Sequence, residues 1–188
     1  PLAGNDVLYA DATNPTVSGG AGDDTLYGSW NSSQLFGGTG NDTLIAQGGP
    51  NNILDGGAGD DVLVGSWGQD TLSGGEGNNT ITVVGGDSLV TAGSGNDVVT
   101  ASWGADNIDV GDGNNYINAG GGNNVIATGN GDDVIIADWG NDTINSGAGN
   151  DVISAGWGSD TINAGADDDT ITTGGGNDTV RAGLGNDT

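Results

Sequence analysis

One position in every nine along this chain is aliphatic, and the beat holds from end to end. Counted in nines from Pro1, position eight is Leu8, Val17, Leu26, Leu35 and Leu44. After one extra residue, assigned to Ala46, it continues as Leu54, Leu63, Leu72, Ile81, Val90, Val99, then Ile108 through Ile171, and Val180. Five units precede the extra residue, fifteen follow it, and seven residues of a twenty-first close the 188-residue sequence. A unit this short cannot bury an apolar face by itself. Copies must stack on one another and share a thin continuous core, which makes the chain a repeat architecture.

The interior of the unit says which kind. Position four is Gly in most units, position six is usually Asp, and position one is mostly small. Position eight and the following position one are separated by polar or mixed residues, which is strand period two with those two positions facing inward. The glycine half supplies the positive φ angles of a tight turn. The expectation is an all-β chain of very short strands joined by glycine turns.

Written out, the unit reads G-G-x-G-x-D-x-U-x, best seen in "GGAGDDTLY" (19–27), "GGTGNDTLI" (37–45), "GGAGDDVLV" (56–64) and "SGAGNDVIS" (146–154). Over its whole length the chain resembles the RTX (repeats-in-toxin) calcium-binding nonapeptides. The resemblance implies a parallel β-roll, a β-solenoid with two nonapeptides per turn. Here that means about ten turns and a rod of roughly 50 Å at strand spacing. It also implies Ca²⁺ ions between successive turns, held by position-six carboxylates and loop carbonyls. A single continuous β-roll over 1–188 is expected. It starts at position one of a unit and lacks atypical polar caps, so it reads as a segment of a longer repeat protein or a stacking unit.

With two units per turn, residues 18 apart lie one above the other. Position six on one side is then Asp6, Asp24, Asp42, Asp61, Asn79, Asp97, Asn115, Asp133, Asp151, Asp169 and Asp187. On the other side it is Pro15, Ser33, Asn52, Asp70, Ser88, Asp106, Asn124, Asp142, Asp160 and Asp178. Stacked carboxylates repel unless a cation lies between them. Ca²⁺ suits the slot because it takes six to eight oxygens and accepts backbone carbonyls. The fourteen Asp residues of these two columns are the candidate ligands, with loop carbonyls near Gly22, Gly40, Gly59, Gly131, Gly140, Gly149, Gly158 and Gly176. The unbroken Asp runs 6/24/42/61, 133/151/169/187 and 142/160/178 should hold the best sites. Between residues 70 and 124 every stacked pair offers at most one Asp, so those slots should bind more weakly or be held by amide ladders. The competing reading is that Asp serves only as a turn former. That leaves 26 acidic residues beside a single base, Arg181, without a counter-charge.

A formal charge of −25 disfavours nucleic acid and anionic membranes and favours cations. No apolar run is long enough to span a bilayer, so no membrane insertion is expected. His, Cys and Lys are absent, which removes the usual nucleophile–base pairs, and no enzyme is expected. The RTX resemblance implies that any catalysis would reside in another domain.

Two surface features remain. Trp30, Trp67, Trp103, Trp139 and Trp157 all fall at position three on one edge, about 10 Å apart where two turns separate them. They either cover neighbouring loops or form an aromatic edge for sugar rings or a partner chain. Tyr9, Tyr27, Ile45 and Val64 form an outward apolar column at position nine, a candidate packing surface. The leading expectation is a calcium-stiffened structural segment of a secreted or cell-surface protein, kept unfolded at low cytosolic calcium and folded outside. It is non-catalytic and open to self-association end to end or side by side into filaments or layers. The alternative is an adhesin module binding polysaccharide or a partner through the Trp edge. Ice binding ranks last, because no regular Thr lattice runs along the surface.

Overall fold

The computed structural model describes residues 2–11 and 15–188. Within them the fold is all β. Twenty-one strands of two to six residues alternate between an eleven-stranded and a ten-stranded sheet, both parallel. Each strand pairs with the one two further along the chain, so one solenoid turn consumes two nonapeptides. Leu26 sits beside Leu44, Ile81 beside Val99, and Ile144 beside Ile162, each 18 residues on.

The strands are short because only positions seven to nine, and in one sheet the next three, run extended before a glycine turns the chain. Gly59, at position four, has a φ of 137°, and a Cβ there would come within 2.1 Å of Gly40 O in the preceding turn. That approach lets one turn sit directly on the next, and only Gly permits it.

Position eight supplies the core. Leu26, Leu44, Leu63 and Ile81 from one sheet face Leu35, Leu54, Leu72 and Val90 from the other, all fully buried, and the same pattern continues to Ile153 and Ile162. Position one adds the smaller layer, including Val83, Ala92, Ala101, Val110, Ala119 and Ala137. The two inward positions inferred from the period are the buried ones.

The extra residue is not Ala46. Ala46 follows Ile45 as Gly28 follows Tyr27, with Gly28 N–H donating to Ile45 O and Ala46 N–H to Val64 O, so it is an ordinary buried position one. Ser32 Oγ donates to Pro50 O, 18 residues on, whereas Ser33 N–H donates to Asn52 Oδ1, 19 residues on. The surplus therefore falls on Asn51, held at a φ of 63°. A small polar side chain tolerates that left-handed conformation. Beyond it the strands pair 19 apart once, Leu35 with Leu54 and Leu44 with Leu63, and then return to 18.

Candidate metal centre

Position six closes each glycine turn and its side chain points back into the loop. The position-six carboxylates are almost wholly buried: Asp24, Asp42, Asp61, Asp70, Asp97, Asp106, Asp133, Asp142, Asp151, Asp160 and Asp169 expose 2% or less. Asp6, Asp178 and Asp187 are half-buried.

From Asp24 onward each carboxylate has at least one oxygen occupied. Asp42 Oδ1 accepts the Asp24 N–H at 2.7 Å, Asp61 Oδ1 the Asp42 N–H at 2.7 Å, and Asp151 Oδ1 the Asp133 N–H at 2.9 Å. The ladder continues to Asp178 and Asp187, which accept from Asp160 and Asp169. The second oxygen is different. Oδ2 of Asp6, Asp24, Asp42, Asp61, Asp97, Asp106, Asp133, Asp142, Asp151, Asp160 and Asp169 is buried without a protein hydrogen-bond partner. Buried polar atoms are nearly always paired, and a bare carboxylate oxygen is among the least tolerable exceptions.

The positions that lack Asp show what surrounds that oxygen. Asn79 Nδ2 donates to Gly77 O at 3.1 Å and to Ala92 O of the next turn at 3.3 Å. Asn115 Nδ2 donates to Gly113 O at 2.9 Å and Gly111 O at 3.3 Å, and Asn124 Nδ2 to Gly122 O at 3.3 Å. The loop carbonyls at positions two and four, and the position-one carbonyl of the next turn, thus aim where the second side-chain atom sits. When that atom is an amide nitrogen it donates; when it is a carboxylate oxygen, oxygen faces oxygen. The same closeness appears at Gly37. A Cβ there would lie 2.4 Å from Asp42 Oδ2 and 2.5 Å from Gly56 O, which is why position one is Gly there. These all-oxygen pockets suit a hard cation that takes main-chain carbonyls. Among the described residues no three acidic side chains converge on one point. A cation would therefore draw on one carboxylate per turn and the carbonyl oxygens around it.

The electrostatics agree. Burial pushes the Asp61 and Asp142 carboxyls up to about 6, with the stacked Asp42 and Asp160 adding to the rise. Asp42, Asp133, Asp151, Asp160 and Asp169 are raised for the same first reason. Asp97 and Asp106 are also raised by burial, but their Coulombic contributions come from the loop residues Asp60 and Asp87 rather than from a stacked carboxylate.

The candidates are not equivalent. Asp70 has both oxygens engaged: Oδ1 accepts from the Asn52 N–H and Nδ2, and Oδ2 accepts the Ser66 N–H at 2.7 Å. Ser33 makes the same contact with the Ser29 N–H at 2.9 Å. Between residues 70 and 124, Asn79, Asn115 and Asn124 supply from within the hydrogens that the loop carbonyls lack, whereas Asp97 and Asp106 keep an unpartnered Oδ2.

A second ladder escaped the sequence reading. Position five of one side is Asn or Asp in every unit, and each backbone N–H there donates to the side-chain oxygen one turn earlier. Examples are Asn41 to Asp23 at 2.9 Å, Asp60 to Asn41 at 2.9 Å and Asp132 to Asn114 at 3.0 Å. It runs opposite to the position-six ladder and is exposed. The invariable Asn/Asp at that position was the available signal.

The Trp residues are exposed by 60–80%. Each lies against the next turn: a Cβ on Gly48, Gly85, Gly121 or Gly175 would fall within 3.1 Å of the ring of Trp30, Trp67, Trp103 or Trp157. Trp139 stacks on Trp157 with centroids 5.8 Å apart. Tyr9 and Tyr27 stack at 4.9 Å, and Tyr27, Ile45 and Val64 are half-buried.

Comparison with known families returns the RTX calcium-binding nonapeptide repeat (four copies), matching residues 2–35, 16–44, 27–49, 51–81, 83–117, 118–153 and 154–188. No curated protein and no solved structure matches the chain.

Proposed function

The chain belongs to the RTX calcium-binding nonapeptide repeat family and binds calcium through its repeats, and on that premise we propose that it is a calcium-stiffened, non-catalytic structural segment of a secreted or cell-surface protein. The observation that carries this reading is the set of buried, unpartnered Asp Oδ2 atoms, repeated turn after turn beside loop carbonyls. Without a cation each such turn buries an unpaired negative oxygen; with one, the oxygens of two successive turns share a single divalent ion. Calcium then contributes directly to folding rather than decorating a finished fold.

The ligands in this reading are Asp24, Asp42 and Asp61 with the carbonyls around Gly22, Gly40 and Gly59, and Asp133, Asp142, Asp151, Asp160 and Asp169 with those around Gly131, Gly140, Gly149 and Gly158. Asp6, Asp97, Asp106, Asp178 and Asp187, with the carbonyl near Gly176, complete the set. Asp70 is left out because Ser66 satisfies it. Low cytosolic calcium keeps such a chain loose enough for export, and extracellular calcium sets it. Nothing in the repeat distinguishes one carboxylate as a catalytic acid or base, which supports a structural role over an enzymatic one.

The test is a calcium titration of the purified chain followed by circular dichroism, with magnesium as control and a chelator to reverse it. Calcium, and not magnesium, is expected to raise the β signal and the melting temperature cooperatively above their values in chelator. A β signal that forms equally in chelator would overturn the reading.

A further inference from the structure

The ten-stranded sheet presents an outer face free of charge. Its strands run from Val7–Tyr9 and Thr25–Tyr27 through Val62–Val64 and Tyr116–Asn118 to Thr170–Thr172. In each, the middle residue points into the core and the outer two point out. None of those twenty outward residues is acidic or basic, in a chain of net charge −25. They include Val62, Val98, Tyr116 and Val152, exposed by 39–48%. The other sheet has no such face: Asp55, Asp109 and Arg181 stand among its outward residues.

The Trp edge borders the uncharged face, three residues beyond each strand. Going up the turns, position three on this edge reads Trp30, Gly48, Trp67, Gly85, Trp103, Gly121, Trp139, Trp157, Gly175. From Trp30 to Trp139, seven turns, Trp and Gly strictly alternate. Indoles two turns apart are separated by about 10 Å, so a ring inserted midway lies about 5 Å from each, inside the range of aromatic pairs. The column itself contains such a neighbour-turn stack, Trp139 on Trp157 at 5.8 Å. Trp30 and Trp67 flank an open cleft of about 450 Å³ floored by Ile45 and Val64.

We propose that this face is an interface between two copies of the chain, packed side by side and antiparallel about a two-fold axis. Reversed, the six-turn stretch from Trp30 to Gly121 is its own complement. Trp30 then enters between the second copy's Trp103 and Trp139, Trp67 between its Trp67 and Trp103, and Trp103 between its Trp30 and Trp67, with the reciprocal contacts generated by the symmetry. Such an isologous arrangement closes on itself. Charge favours this face, since a second copy approaching the opposite loop edge meets the exposed carboxylates of Asp23, Asp60, Asp132 and Asp168. Along the Trp30–Gly121 stretch the only exposed carboxylate on the Trp edge is Asp87. Near the axis it faces its own symmetry mate, so screening by salt favours association. Six turns present a strip roughly 30 Å long, and a dissociation constant on the order of 10 µM is the working figure for the assay.

Sedimentation velocity of the calcium-loaded chain between about 1 and 100 µM tests this, with circular dichroism on the same samples to verify that each variant is folded. The expected result is a concentration-dependent shift from the 18.2 kDa chain to twice that mass. Gly85→Trp, which copies the Trp139–Trp157 doublet and fills the gap in cis, and Val62→Asp, which puts a charge on the face, should each weaken association more than tenfold. Asp87→Asn should tighten it and remove its salt dependence. A chain that stays monomeric over the whole range, or a dimer indifferent to both Gly85→Trp and Val62→Asp, would overturn the proposal. So would a monomer retarded in gels containing a neutral glucan such as hydroxyethyl cellulose, which would assign the Trp edge to polysaccharide instead.

Discussion

Replacing Asp133, Asp151 and Asp169 together by Asn should make the solenoid more stable in chelator and less stable in calcium. The protein supplies the template, because Asn79, Asn115 and Asn124 already occupy the same position. An Asn keeps the ladder acceptor, so Oδ1 at 151 would still receive the Asp133-position N–H now at 2.9 Å. The new Nδ2 replaces the unpartnered Oδ2 and meets carbonyls placed like those that receive Asn115 at 2.9 and 3.3 Å. For position 133 these belong to Gly129 and Gly131, for 151 to Gly147 and Gly149, and for 169 to Gly165 and Asp167. Relieving one buried unsatisfied group is worth about 1–3 kcal/mol, and for a domain of this length 1 kcal/mol moves Tm by about 2–4 °C. The three sites stack on one another and will not add independently, so a rise of roughly 5–15 °C in chelator is the working figure. In calcium the sign reverses. Each lost site forfeits about 2.7 kcal/mol when the ion stands at a hundred times its dissociation constant, and the amide relieves nothing because the ion had already satisfied the oxygen. Thermal melts by circular dichroism in both conditions decide it. A shift of the same sign in chelator and in calcium would refute the reasoning.

Three further outcomes follow from the same geometry. Gly37→Ala places a methyl 2.4 Å from Asp42 Oδ2 and 2.5 Å from Gly56 O; calcium affinity at the first turns should fall and the unfolding free energy should drop by about 1–3 kcal/mol, measured by isothermal titration and urea unfolding. Leu63→Ala removes a fully buried side chain between two Asp-rich turns and should cost about 2–5 kcal/mol with and without calcium alike, which separates core loss from ligand loss. For pH, Asp61 and Asp142 titrate near 6 in the folded, calcium-free chain against an ordinary value of 3.8. The folded state therefore takes up protons first, so the calcium-free fold should gain stability as pH falls from about 7 toward 4. Calcium affinity should decline over the same window as protons compete for the same oxygens; melts and titrations at pH 7, 6 and 5 check both directions.

The period was legible because an inward aliphatic recurs at position eight in every unit, and a strand of three residues has no other face to bury. Position-six Asp was legible because turn chemistry alone gives no reason to gather so many carboxylates against one base. What could not be read was how each carboxylate divides its two oxygens. Oδ1 is claimed by the N–H of the preceding turn, a cross-turn bond invisible in a single unit. Asp70 looked like its neighbours, yet a Ser four residues earlier, Ser66, satisfies it. The position-five ladder hid behind the same Asn/Asp preference that marks any turn. Ala46 drew the extra residue by counting, whereas the backbone places the surplus where a left-handed conformation is cheapest, at Asn51. The sequence reading offered the Trp residues as loop covers or an aromatic edge; that four of them lie over a glycine of the next turn is a cross-turn contact no single unit displays.

The central claim, that the buried Oδ2 atoms are calcium ligands, is met most directly by anomalous diffraction from crystals of the calcium-loaded chain. The account predicts peaks beside Oδ2 of Asp24, Asp42, Asp61, Asp133, Asp142, Asp151 and Asp160, and none at Asp70 or beside the amides of Asn79, Asn115 and Asn124. Peaks confined to the exposed position-five carboxylates such as Asp23, Asp60 and Asp132, with the position-six pockets empty, would contradict it.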